Sequence, residues 1–349
     1  MIVTPISRPT HEEVLRVEDG SCGLIGFIAV HSTQLGPAAG GLRMRPYDSE
    51  EAALEDALRL SRGMTFKNAA ADLPLGGGKA AIIGDPKTKT RAQLLAFARA
   101  IDGLAGRYWT AEDMGMSPAD MATMATVTPF VAGLPDGAFA SGDPSPITAR
   151  GIFQAIRTTA RFRFGSPILA GRHVAVQGLG HVGWHLCKLL RAGGARLSVA
   201  DIDPERAAWA GQSFGATVVG ADRILEVEAD ILAPCAIGGV LNADTIAALQ
   251  VRAVAGGANN QLARAEDGAA LHARGILYAP DYVANAGGII NVATEILRIR
   301  DRQGFVSDKL AALDETLEAI FKRAAERGVG PDRVADETVA AKMQRLRAA

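Results

Sequence analysis

Residues 173–201 constrain the fold of this chain more than any other stretch. The apolar run His173-Val174-Ala175-Val176-Gln177 leads into Gly178-Leu179-Gly180-His181-Val182-Gly183. An apolar helical segment then closes near Gly193-Gly194, and a second apolar run, 196–200, ends at Asp201. Strand, glycine turn, helix and strand in this order form the βαβ unit of a dinucleotide-binding fingerprint. The glycines permit a tight turn, close approach of backbone to a pyrophosphate and tight packing of helix on strand, and the helix N-terminus favours phosphate charge. Asp201, 18 residues beyond Gly183, is placed to accept the ribose hydroxyls. A carboxylate there repels a 2′-phosphate, so NAD is expected over NADP. Arg206 could soften that preference, but Asp203-Pro204-Glu205 before it reads as a helix start, and an exposed helical arginine is the simpler reading.

The alternation continues on both sides. Later strands at 229–233 and 251–255 end in loops Pro234–Gly239, containing Ala236, and Gly256–Asn260. In an open parallel sheet, such loops at the C-terminal ends of strands are where ligands bind. One more strand is expected at 276–279, and Asn285-Ala286-Gly287-Gly288 opens an apolar helix. Upstream, a buried strand is expected at 24–31, a helix capped by Ser49, a short strand at 80–83 after a glycine run, a helix capped by Thr90, a strand at 108–110, and a capping box at Ser117-Pro118-Ala119-Asp120. Residues 133–146 are dense in glycine and proline, as a connection between domains is. With 349 residues, the chain is long enough for two α/β domains with real cores. The expected organisation is an N-terminal α/β substrate and oligomerisation domain over 1–140, and a Rossmann-type, doubly wound NAD-binding domain over 141–324. Amphipathic helix with alternating charge signs fills 308–349, and its last part, about 325–349, is expected to pack back on the first domain.

Between Lys67 and Lys79 two lysines flank an apolar segment and three consecutive glycines, Gly76-Gly77-Gly78. Two ammonium groups brought together depress each other's pKa, and burial acts in the same direction. A lysine lowered toward neutrality is a usable general base. The alternative is a glycine-rich surface turn with a solvated lysine. A phosphate loop is disfavoured by Leu73 and Ala80, which stand where that motif needs Gly and Ser or Thr.

Bulk properties narrow the classes. Net charge is −1 with both signs scattered, which argues against a role on nucleic acid or a membrane surface. Three distant cysteines, Cys22, Cys187 and Cys235, suggest neither a disulfide framework nor a zinc site, and a reducing cytoplasm is expected. No apolar run approaches bilayer-spanning length. His181, His185 and Cys187 are close in sequence, but His181 falls in the glycine turn, so no metal site is expected.

Taken together, the motifs resemble the amino acid dehydrogenases of the glutamate, leucine, phenylalanine and valine group, closest to the leucine and phenylalanine enzymes. The matching stretches span nearly the whole chain: Gly36-Pro37-Ala38-Ala39-Gly40-Gly41-Leu42-Arg43-Met44, Gly63-Met64-Thr65-Phe66-Lys67-Asn68-Ala69, Leu75–Lys79, Thr110-Ala111-Glu112-Asp113, 141–148, the glycine turn and Asn285–Gly288. The resemblance implies Lys67 as partner of the substrate α-carboxylate, Lys79 as the base that activates water, and Asp113 as the group exchanging protons with the substrate amine. Taken by itself, Asp113 also reads as a capping or salt-bridging carboxylate. Thr148 and Asn259 would hold the nicotinamide end, with Asn260 nearby. A homo-oligomer built through the N-terminal domain is implied as well.

Glutamate enzymes of this group carry lysine at the position of Ala39 and serine at that of Val292. Burying a substrate carboxylate against Ala and Val without partners is prohibitive. A pocket of Ala39, Gly40, Met64, Ala111, Ile289 and Val292 therefore fits an apolar L-amino acid, branched aliphatic or aromatic, oxidised to its 2-oxo acid with release of ammonia. Asp143, where related chains often have asparagine, is a departure from the pattern. Two alternatives accompany this expectation: a catalytically idle NAD-binding sensor of the same fold, and a dehydrogenase strictly specific for aromatic amino acids.

Overall fold

The structure, a computed structural model, describes residues 1–348, with side chains through Arg345. The chain divides into two compact units: Met1–Pro144 with Ile289–Val306 and 341 onward, and Ser145–Gly288 with Ser307–Ala340.

In the first unit, β1 (Ile2–Pro5), β2 (Glu13–Asp19), β3 (Leu24–Ser32), β4 (Ala38–Ala39), β5 (Leu42–Arg45), β6 (Gly76–Ile83) and β7 (Tyr108–Trp109) form a mixed sheet in the order β1-β2-β3-β6-β4-β7. The helices are α1 (Glu50–Ala70), α2 (Arg91–Asp102) and α3 (Pro118–Ala125). Ser49 caps α1 on the Ala52 N–H, and Thr90 and Ser117 each close a capping box. Side chains alternate between sheet faces along a strand. Phe27, Ala29 and Ala81 accordingly pack with Leu54, Ala57 and Leu58 of α1. On the opposite face, Ile28, Val30, Ala80 and Ile82 pack with Phe97 and Ile101 of α2 and Met121 of α3. The alternation puts Gly77 and Lys79 on the α1 face.

Strand β6 corrects the expectation of a short strand that begins at Ala80 after the glycine run, and removes the alternative of a surface turn. Gly76, Gly77 and Gly78 are strand residues, buried at the centre of the sheet. Glycine is required there by crowding: a Cβ on Gly76 would strike the Ser32 carbonyl, one on Gly77 the Thr65 side chain and backbone, and one on Gly78 the Tyr108 ring. The first half of β6 pairs with β4 and the second half with β5, in parallel register. Gly40 and Gly41 interrupt these two partners alongside Gly78 and Lys79, so the strand break falls where the second lysine emerges. The outer antiparallel strands β1 and β2 were not foreseen. An exposed edge strand such as β1 carries no buried alternation to mark it.

In the second unit, β8 (His173–Gln177), β9 (Arg196–Ala200), β10 (Thr217–Val218), β11 (Ile231–Pro234), β12 (Ala253–Val254) and β13 (Leu277–Tyr278) make a parallel sheet ordered β10-β9-β8-β11-β12-β13. The order reverses between β8 and β11, the switch point at which doubly wound sheets bind ligands. The helices here are α4 (Ser145–Phe164), α5 (His181–Ala192), α6 (Pro204–Phe214), α7 (Ala243–Ala248), α8 (Glu266–Ala273) and α9 (Asp281–Ala284). Three more helices, α10 (Gly287–Ile296), α11 (Arg302–Arg327) and α12 (Pro331–Ala348), carry the chain from one unit into the other. The amphipathic stretch expected over 308–349 as helix is thus two helices. Gly328, at φ +62°, and Pro331 separate them, because the first leaves the helical region and the second opens a new helix at its first position.

Candidate active site

In the first unit, the break at Gly40-Gly41 gathers most of the expected substrate and catalytic residues. A Cβ on Gly40 would overlap the Gly78 carbonyl and lie 2.9 Å from the Met64 side chain; on Gly41 it would lie 2.8 Å from the Asp113 Cβ. Ala39 and Ala111 are buried beside it, Ala39 paired in the sheet with Trp109. Lys67 is half-buried in the last turn of α1. It follows Met64 by three residues, so the two share a helix face.

Lys79 is 3% exposed, and its ammonium forms an ion pair with Asp113 Oδ2. The other oxygen, Oδ1, accepts from Arg43 Nε at 3.0 Å and from the Met114 N–H at 2.6 Å. Burial does most to lower the pKa of Lys79; the Arg43 charge acts in the same direction and Asp113 opposes both. Burial alone would raise Asp113, but the charges of Lys79 and Arg43 outweigh it and hold the carboxyl well below the usual range. The pair therefore combines a carboxylate held ionised in the resting site with a lysine brought toward its neutral form, the state in which an amine can take a proton from water.

Ile289 and Val292 are buried on α10, three residues apart and on one face. Glu295, one turn further, accepts hydrogen bonds from the N–H groups of Gly133, Leu134 and Ser141 and from the Ser141 hydroxyl. The Gly133 segment adjoins Thr110, whose carbonyl takes the Ala132 N–H at 2.8 Å. That attachment ties α10 to the strand end that bears Ala111 and Asp113.

In the second unit, the glycine turn follows β8 and Ala236 follows β11, the two strands at the switch point, while Asp201 follows β9 and Asn259 and Asn260 follow β12. Gly178 has φ +92°, and a Cβ on it would lie 2.8 Å from that of Ala236. A Cβ on Gly183 would strike the Gly178 carbonyl, whereas one on Gly180 would meet nothing within 4 Å. Gly180 is the N-cap of α5, with no side chain capping the first turn formed by His181, Val182 and Gly183. This open, uncapped helix start, walled by close-packed glycines, suits a pyrophosphate. Asp201 accepts from the Leu179 N–H at 2.6 Å and the Asp203 N–H at 2.9 Å. Arg206 is an exposed arginine of α6, as expected, with its guanidinium 3.9 Å from Asp201 and 3.6 Å from Asp203, the residue that caps its helix.

Thr148 lies in the first turn of α4, where its Cα would be 3.0 Å from a Cβ on Gly287. Asn259 Oδ1 accepts from Asn285 Nδ2 at 2.9 Å, and Asn285 also bonds the Gly257 carbonyl. Asn260 has φ +51° and its carbonyl takes the Gly239 N–H. Asn285, not foreseen as a site residue, links the β12 loop to the chain entering α10. Arg43 was likewise missed, although an arginine between the buried Leu42 and Met44 of a strand was its signal. Among the described residues no group of three or more His, Cys, Asp or Glu could hold a metal ion, and no helix is long and apolar enough to cross a membrane.

The family profile "Glu/Leu/Phe/Val dehydrogenase, dimerisation domain" matches residues 11–129, and "Glutamate/Leucine/Phenylalanine/Valine dehydrogenase" matches residues 209–348. The chain is 48% identical over 334 residues to leucine dehydrogenase of Geobacillus stearothermophilus, covering 94% of this chain and 90% of that protein. It is 45% identical over 341 residues to phenylalanine dehydrogenase of Caldalkalibacillus thermarum, covering 96% and 92%. The crystal structure of L-tryptophan dehydrogenase from Nostoc punctiforme superposes with a TM-score of 0.80 at 42% identity, covering 97% of this chain and 98% of that one. On the strength of two family matches and of relatives alike over nearly its full length, this chain belongs to the glutamate/leucine/phenylalanine/valine dehydrogenase family.

Proposed function

We propose that the protein catalyses the NAD-dependent, reversible oxidative deamination of an apolar L-amino acid, branched aliphatic or aromatic, to the 2-oxo acid and ammonia. The observation that carries this reading is the buried Lys79–Asp113 ion pair beside Gly40-Gly41. Relatives named for leucine, phenylalanine and tryptophan support an apolar substrate. So does the pocket composition of Ala39, Gly40, Met64, Ala111, Ile289 and Val292, which offers a substrate carboxylate side chain no partner.

In this reading the Gly178–Gly183 turn and Ala236 hold the pyrophosphate, Asp201 the ribose hydroxyls, and Thr148, Asn259 and Asn260 the nicotinamide end. Bound there, NAD supplies the acceptor for the hydrogen and electron pair leaving the substrate Cα. Lys67 holds the α-carboxylate by charge. Lys79, neutral in the working form, takes a proton from the water that attacks the substrate iminium carbon. Asp113 receives and returns protons at the substrate nitrogen, so that the C–N bond breaks with ammonia as the leaving group and the 2-oxo acid remains. Asp201 disfavours a 2′-phosphate, which is the reason for NAD, and the nearby Arg206 sets a limit on that preference.

We also assign substrate binding and self-association to the first unit, and dinucleotide binding to the second. The exposed edge strand β1, with Ile2 63% and Val3 40% exposed, is a template for pairing with a second copy, and it supports a homo-oligomer. The test is incubation with NAD and a panel of L-amino acids at alkaline pH, followed by the absorbance of the reduced nucleotide. Turnover on leucine, valine or phenylalanine is expected and turnover on glutamate is not; no turnover on any of them would overturn the proposal.

A further inference from the structure

Behind the Lys79–Asp113 pair runs a second tier of charge. Arg43 on β5 turns its Nε to Asp113 Oδ1 at 3.0 Å and its Nη1 to Asp56 Oδ2 at 3.0 Å. Asp56, on the second turn of α1, is held by the Tyr47 hydroxyl, donating at 2.8 Å, and by Arg59 Nη2 at 3.2 Å. Arg43 and Asp56 side chains are each 11% exposed. Burying a guanidinium and a carboxylate this far costs free energy unless their partners are well fitted, and a surface pair would have stabilised the fold as cheaply. The arrangement also has a direction. Arg43 and the Met114 N–H together occupy Oδ1 of Asp113, which leaves Oδ2 to Lys79.

We infer that Arg43 is a positioning residue for this reaction, locked by Asp56 and Tyr47 so that its planar fork presents one fixed oxygen of Asp113 to Lys79. This inference rests on the proposed roles of Lys79 and Asp113 and adds the element that orients them. Arg43 from β5, Asp56 from α1 and Tyr108 from β7 are ionisable groups that act on the pair or are acted on by it, with Glu112 adjoining Asp113 in the chain. The Tyr108 phenol is kept in its neutral form by burial and donates to the Gly40 carbonyl. Arg43 and Asp56 act on Lys79 with opposite sign: the arginine charge lowers its pKa and the aspartate charge raises it. Removing one or the other is therefore expected to move the lysine in opposite directions.

The test compares wild type with R43Q, R43K and D56N, by kcat across pH and by the pH dependence of carbamylation of Lys79 by cyanate, read by peptide mass spectrometry. The second readout needs no turnover. In R43Q, kcat is expected to fall on the order of 10²-fold, the scale of a small misplacement of a catalytic group, and the rising limb of the profile moves to higher pH. D56N moves that limb to lower pH. R43K keeps the charge but not the fork, so kcat falls while the limb stays in place. Unmoved limbs in R43Q and D56N, or movement of both in one direction, would overturn the inference. Should R43Q fail to fold, D56N and R43K decide it: wild-type kcat and profile in both would overturn it. A wild-type enzyme without turnover on any amino acid instead removes the proposed function, and the carbamylation profiles still report whether Arg43 and Asp56 govern Lys79.

Discussion

In the proposed reaction, Lys79 is the residue on which the chemistry turns. Its Lys79→Ala variant is expected to lose turnover by at least about 10²-fold, the lower end of what a general base contributes, while still binding nucleotide. Steady-state kinetics and a titration of nucleotide fluorescence check both halves, and near-normal kcat would remove Lys79 from the reaction. Because burial lowers the lysine and the proposed base is the neutral amine, activity should rise with pH below the range of a free lysine. At the other site, Asp201→Ala should shift preference toward NADP, measured as the ratio of kcat/KM for the two cofactors. Loss of the carboxylate removes the repulsion of a 2′-phosphate and leaves Arg206, now 3.9 Å from it, without that partner. The residue types at these positions were legible in the sequence because each sits in a motif with a chemical reason. Arg43 was not, since an arginine in a strand declares its partner only when Asp56 and Asp113, far apart in the chain, are brought to it.

The element that sets the first site is β6. From sequence its three glycines allow a surface turn as well as a close approach of backbone, because glycine supplies positive φ where turns need it and leaves room where it does not. Here none of the three has positive φ, and their use is close approach. Gly77→Ala is expected to destabilise the protein by about 2 kcal/mol or more, in the range of overpacking a core. The added methyl would meet the Thr65 backbone N and, at 2.5 Å, the Ser61 carbonyl, neither of which is a flexible chain end. Urea unfolding measures it, and an unchanged midpoint would mean that α1 can shift off the strand. The helix starts at Ser49, Thr90, Ser117 and Asp203 were readable, because caps are local: each side chain bonds a backbone N–H two or three residues on. Short strands β12 and β13, of two residues each, were expected longer, since apolar runs continue past the point where ladder pairing stops.

At the scale of the whole molecule, the chain passes between its two units after Pro144, Gly288, Val306 and Ala340. Within the first unit, Glu295 and Arg302 hold the segment that approaches the first of these crossings. Glu295 takes four hydrogen bonds from Gly133, Leu134 and Ser141, and Arg302 donates to the Ala140 carbonyl at 3.0 Å. Glu295→Ala leaves buried N–H groups without an acceptor and should cost about 3 kcal/mol or more, whereas Glu295→Gln, which keeps a carbonyl oxygen, should cost about half of that. Equal losses in the two variants, measured by urea unfolding, would show that charge and not hydrogen bonding holds the segment. The sequence by itself determined the α/β class and the strand–turn–helix of the nucleotide fingerprint, because these depend on periodicity and on spacing within some thirty residues. Only the tertiary structure decided that the glycine run is a buried strand, that Gly40-Gly41 breaks the sheet beside Lys79, and that Arg43 and Asp56 stand behind Asp113. Those facts depend on which distant segments share a space, and steric exclusion and charge pairing act between segments that local pattern does not connect.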